Sequence, residues 1–118
     1  MAAAKLKLSI DQGATFEKVI TWKAGTPATP VNLTGCTARM HIRSEIADPV
    51  PLVELTTENG GITLGGALGT ITLRLSAVAT AALTWTTGVY DLEIVYPDAR
   101  IRRLLSGTVA VSPEITRA

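Results

Sequence analysis

The chain has 118 residues, 47% of them hydrophobic and 18% charged; this suits one hydrophobic core and excludes both a second domain of ordinary size and a disordered chain. Eleven Lys and Arg against ten Asp and Glu leave a formal charge of +1, too small for a long-range field that would draw the chain to nucleic acid or an anionic membrane. Cys36 is the single cysteine, which excludes an internal disulfide and a cysteine-based zinc cluster and leaves a packed, inert thiol as the expectation.

The N-terminal run MAAAKLKLSIDQG alternates apolar and polar residues where a signal peptide would carry a continuous apolar stretch, and nothing later reaches the length of a membrane span. A soluble protein without a signal peptide or membrane insertion is expected. In Lys5 to Ile10 the residues Leu6, Leu8 and Ile10 share one strand face, and Asp11-Gln12-Gly13 ends the run. Thr15 to Trp22 places Phe16, Ile20 and Trp22 on one face, with Lys18 among them marking a bulge or an edge. KAGTPATP, residues 23–30, is read as an exposed loop unable to sustain a ladder, because proline lacks the N–H donor.

Thr37 to Ser44 alternates strictly, Ala38, Met40 and Ile42 against Arg39, His41 and Arg43. After the loop Asp48-Pro49-Val50-Pro51, Leu52 to Thr56 is a short strand closed by the turn signal Asn59-Gly60. Ile62 to Leu64 and Thr70 to Leu75 form a hairpin across a glycine-rich connection. SAVATAAL, beginning at Ser76, predicts one or two helical turns capped by Ser76, with Val78, Ala82 and Leu83 at helical spacing. Val89 to Tyr96 has the pattern of a central strand, Tyr90, Leu92, Ile94 and Tyr96 opposing Asp91 and Glu93. Ile101 to Val111 returns as a long strand bent at Gly107, with Val109 and Val111 inward.

Short strands without alternating long helices predict an all-β domain spanning 1–118. The architecture expected is an immunoglobulin-like antiparallel β-sandwich with one short helical corner near Ser76–Leu83, loose ends at 1–4 and 113–118, and a small barrel as the alternative. No catalytic constellation, cofactor site or metal site is read. His41 has no positioned Asp or Ser near it in sequence. Asp91 and Glu93 are expected to pair with the Arg39, His41 and Arg43 stripe or with Arg102, and the glycines lack the Gly-Lys-Ser/Thr context of a phosphate loop. Lys5, Lys7, Arg39, His41, Arg43 and Trp85 are the candidate protein-contact residues, Trp85 being read as either core-covering or exposed for contact.

The run GTITLRLSAVATAALTWTTGVYDLEIVYPDARIRRLLSGTVAVSPEITR, preceded by VNLTGCTARMHIRS and LVELTTENGGITL, resembles small bacteriophage and prophage structural proteins, in particular the N-terminal immunoglobulin-like domain of baseplate upper proteins. Asn32 to Arg43, Gly88 to Glu93 and Ile101 to Arg117 carry the likeness, which covers Gln12 to Arg117 and rests on turn and core residues. It implies a virion structural protein: a non-enzymatic, multi-copy tail, baseplate or neck adaptor assembled in the host cytoplasm. Its partners would be other phage structural proteins and copies of itself, with no nucleic acid. A capsid-decorating protein and a carbohydrate- or cell-surface-binding module, using Trp22, Trp85 and Tyr96, are the alternatives; a small hydrolase is the third. The contact surfaces expected are strand edges, the loops at Lys23 to Pro30 and Ser44 to Pro51, and strand addition at Lys5 to Ile10, whose deletion is expected to leave the fold soluble.

Overall fold

The computed structural model describes residues 4–116, and they form the expected all-β sandwich with an immunoglobulin-like strand order. The strands, in chain order, are β1 (Ala4–Lys5), β2 (Leu8–Asp11), β3 (Phe16–Thr21), β4 (Lys23–Ala24), β5 (Thr29–Pro30), β6 (Thr37–Arg43), β7 (Val53–Thr56), β8 (Ile62–Leu64), β9 (Thr70–Leu75), β10 (Thr87–Val95) and β11 (Ile101–Ser112). The larger sheet runs β1-β11-β10-β6-β7, with β2 also on β11; the smaller runs β3-β9-β8. That is the division of an immunoglobulin-like domain, a last, penultimate and third strand in one sheet opposite a second, fourth and fifth in the other.

Alternation drives the packing. Ala38, Met40 and Ile42 of β6, Leu92 and Ile94 of β10, and Ile71 and Leu73 of β9 are all buried in a single core between the sheets, as period-two patterning requires. β10 is the central strand its sequence predicts, flanked by β11 and β6. Cys36 is free and half-buried against the core.

Four findings narrow or overturn the sequence reading. Residues 23–30 are exposed but do hold a small ladder, Lys23 opposite Pro30 and Ala24 opposite Thr29, since Pro30 closes the strand and needs no donor there. Lys18 marks an edge and not a bulge: β3 pairs with β9 in unbroken register. Val78 of α1 (Ala77–Ala81) points outward, 83% exposed, while Thr80 is the buried residue of that helix. Ser76 does cap α1, accepting from the Ala79 N–H.

The fourth concerns the N-terminal run, expected to be available for strand addition and removable. Leu8 and Ile10 are core residues, and β1 and β2 lie parallel on β11, so the sandwich is not wholly antiparallel. Deleting this run would open the core. Between β1 and β2 the Leu6 carbonyl lies over Gly107, where any Cβ would collide with it. The Tyr90 side chain, cross-strand from Gly107, reaches over that glycine and donates from its hydroxyl to the Leu6 oxygen at 2.6 Å. Gly107 is therefore a site of close approach and not the bend expected from sequence.

The bend sits elsewhere in β11. The register with β10 slips between Leu92 and Glu93, so that Leu104 is an extra residue on β11. Of the expected loose ends, 1–3 and 117–118 lie outside the described residues; Ala4 pairs with Leu105, and the Glu114 N–H donates to Gln12 Oε1 at 2.8 Å.

The loops gather at two ends. One, the loop end, joins residues 22–36, 65–69 and 96–100, tied by Leu33 N–H to Gly66 carbonyl and Trp22 N–H to Gly69 carbonyl bonds. At the other, the helix end, Gln12 Nε2 donates to the Leu83 carbonyl and the Gly13 N–H donates to Thr80 Oγ1. The Thr80 hydroxyl lies 2.8 Å from the Ala14 carbonyl, which accepts its proton; Thr80 is the one buried polar residue among those described.

Burial disfavours the Tyr90 phenolate and pushes its pKa up to about 12. The unfolded chain releases that proton near pH ~10, so the associated stability is complete below that pH and is lost as pH rises through about 12. Urea unfolding of Tyr90→Phe is expected to show about 1–2 kcal/mol less stability at neutral pH, from the orphaned Leu6 carbonyl, and a shallower alkaline fall than the parent. Gly107→Ala is expected to cost about 1–3 kcal/mol by overpacking, measured the same way.

Candidate functional site

The outer face of the larger sheet is where chemistry-bearing side chains converge. Arg39, His41 and Arg43 leave the core-facing pattern of β6 on alternate residues, and Asp91 and Glu93 do the same on β10. Register places Arg39 beside Glu93 and His41 beside Asp91, and His41 beside Glu54 of β7 on its other side. The result is a shallow depression of about 660 Å³ whose walls include Lys5, Arg39, His41, Arg43, Ile46, Asp91, Glu93, Arg103 and Ser106.

Its charges are paired across strands. Arg39 Nε donates to Glu93 Oε1 at 2.8 Å, and Arg103 Nε lies 3.6 Å from Asp91 Oδ2. Lys5 Nζ donates to Ser106 Oγ at 3.2 Å. The expected pairing of the two carboxylates thus holds for Arg39, whereas the second cation is Arg103 and not Arg102. The extra residue Leu104 explains this: strict alternation back from Val109 would turn Arg103 inward, and the bulge reverses the facing of residues 101–103. Arg102 instead stacks its guanidinium over the Trp22 ring, 5.2 Å from the centroid.

Arg43 organises the rim. Its NH1 donates to the Asp48 carbonyl at 2.8 Å and its NH2 contacts His41 Nδ1 at 3.1 Å. A guanidinium only donates, so Nδ1 accepts and the ring proton sits on Nε2. The nitrogen that a catalytic triad would hand to a carboxylate is therefore engaged by a cation. The Asp48 carboxylate accepts from the Ser44 hydroxyl at 2.6 Å and from the Val50 N–H at 3.1 Å, a closed turn that displays Ile46, 88% exposed, beside the depression.

Of the candidate contact residues, Lys5, Arg39, His41 and Arg43 come together here. Lys7 does not: it lines a smaller depression of about 400 Å³ between β2 and β3, with Asp11, Glu17 and Lys18. Trp85 is half-buried against the core, covering Gly88. Sequence reasoning missed Arg103, Ile46 and Ser106; consecutive Leu104 and Leu105, both buried, were the available sign of the bulge. Among the described residues no group of three His, Cys, Asp or Glu side chains is placed to hold a metal, and no helix is long and apolar enough to cross a membrane.

Two edges bear on how this domain meets others. On β7, Asn59 Nδ2 donates to the Glu54 carbonyl at 3.1 Å and Asn59 Oδ1 accepts from the Thr56 N–H at 3.0 Å. The carboxamide thus occupies backbone groups turned away from β6, in the way an added strand would. On β3, Lys18 lies across from Leu73 on the core-facing side yet remains exposed, so a strand added there would have to bury an ammonium. Compared with known proteins, the chain matches no family model and no curated protein sequence.

The hydrogen bonds from Ser44 and Val50 hold the Asp48 carboxyl below the ordinary carboxylate value of 3.8. The turn it closes is accordingly fully supported above pH 3.8 and loses that support only as pH falls through the lower folded value. Amide NMR is expected to show the Val50 resonance moving with the Asp48 titration, and Asp48→Ala is expected to raise hydrogen exchange at residues 44–50 while leaving the core amides protected.

Proposed function

We propose that this chain is a non-enzymatic structural subunit of a bacteriophage particle, a tail, baseplate or neck adaptor present in several copies and joined to its neighbours by protein–protein contacts. The observation that carries this reading is the outer face of the larger sheet, a depression walled by cross-strand ion pairs with the preorganised Ile46 turn on its rim. Alternating fixed charges select a partner and its register more than they add affinity, while an exposed apolar residue on a rigid turn supplies area at low ordering cost. The blunted edges at β3 and β7 direct contacts to this face and to the loops, away from strand addition.

The likeness of residues 12–117 to the first domain of baseplate upper proteins supplies the virion context. A sugar-binding role has less support, because the rings of Trp22 and Tyr96 lie under the chain's own Arg102 and Arg100, at 5.2 and 4.8 Å. Electron-microscopic imaging of particles assembled with a tagged chain is expected to locate it at a fixed, repeated position. Arg39→Glu with Arg103→Glu, two exposed positions, is expected to keep the melting temperature and abolish incorporation. Incorporation at the unsubstituted level would overturn the assignment of this face.

A further inference from the structure

The two ends of the sandwich carry opposite charge. At the helix end, segments 11–15, 44–52, 76–86 and 113–116 contain four carboxylates, Asp11, Glu45, Asp48 and Glu114; the cations next to these segments in sequence are Arg43, which donates to the Asp48 carbonyl, and Arg117. At the loop end, segments 22–36, 65–69 and 96–100 together with the first two residues of β11 contain the three cations Lys23, Arg100 and Arg102 and the single carboxylate Asp98, which pairs with Arg100 at 2.8 Å. Each end also exposes apolar side chains that its own fold leaves uncovered: Ile46, Val50, Val78 and Ile115 at the helix end, Leu68 and Ile101 at the loop end. The acidic end is rigid as well as charged, since the Asp48 turn and the Thr80 hydroxyl fix its loops.

We propose that the helix end of one copy docks on the loop end of the next, so that the chain self-associates head to tail. This rests on the structural-subunit reading above and names a second copy of the chain as the partner at its ends. Opposite ends that differ in charge disfavour a two-fold contact, in which like would meet like, and favour a heterologous one, which propagates into a ring or a stack. The apolar residues at both ends supply the area that charge alone lacks, and the outer sheet face beyond the Ile46 turn stays free for a different neighbour.

Charge exchange tests the arrangement. Sedimentation velocity of the full chain is expected to show mass rising with concentration, suppressed at about 0.5 M salt, where screening acts within roughly 4–5 Å. Lys23→Glu with Arg100→Glu makes both ends acidic, and Asp11→Lys with Glu45→Lys leaves two lysines against Asp48 and Glu114, so that the helix end has no net negative charge for the loop end to meet. Each double variant alone is expected to associate at least about tenfold more weakly at an unchanged melting temperature, and an equimolar mixture is expected to regain association. Monomeric parent protein at all concentrations, or a mixture no better than its components, would overturn head-to-tail docking. Particle incorporation separates the two readings: a monomeric chain still found in particles leaves the structural role standing, whereas a stacking chain absent from particles removes that role and leaves the stacking.

Discussion

The Tyr90 hydroxyl reaches the Leu6 carbonyl because Gly107, lying between them in the sheet, has no side chain. Much of the larger sheet depends on that gap. It lets the N-terminal run lie against β11 in one register on either side of Leu6 and Lys7, with Lys5 opposite Ser106 and Leu8 opposite Val109. Leu8 and Ile10 are thereby delivered to the core. The same seating carries Lys5 to the outer face beside Ser106. A larger residue at 107 would disturb the core and the candidate site through one contact.

A second constraint is the extra residue in β11. Were Leu104 paired regularly in the ladder, Arg103 would point into the core and Arg102 out of it; because Leu104 is bulged, Arg103 joins Asp91 on the outer face and Arg102 lies over Trp22 at the loop end. One inserted residue thus settles the charge pattern of a face and the covering of one end. Period-two reasoning works where strands are regular, which is why β6 and β10 are legible residue by residue. It misleads on one half of β11, where two consecutive leucines are both buried.

The remaining differences from the sequence reading have the same origin. Thr80 takes the buried place expected for Val78 because the Gly13 N–H and the Ala14 carbonyl, packed on α1, need a hydroxyl partner. That is a tertiary demand that helical spacing cannot express. The β6 part of the candidate face was visible as the Arg39, His41 and Arg43 stripe, because those residues adjoin in one strand. Lys5, Arg103 and Ile46 were harder to place together, since parallel pairing, a bulge and a turn bring them from three separate parts of the chain. Lys7 and Trp85, chosen for residue type, fall outside it.

The parallel seam also dictates an order of events. Leu8 to Asp11 find their partners at Val109 to Ser112, contacts that span nearly the whole described chain, and the Leu6 carbonyl waits for Tyr90 and Gly107. Contacts of such long sequence separation slow folding, because the loop entropy is lost before the pairing rewards it. During synthesis the smaller sheet and the β6–β7 pair can form early, while the N-terminal run stays uncovered until β11 has emerged. Its alternating leucines are then exposed alongside lysines, Lys5 and Lys7, which keep that waiting segment from pairing with another nascent chain.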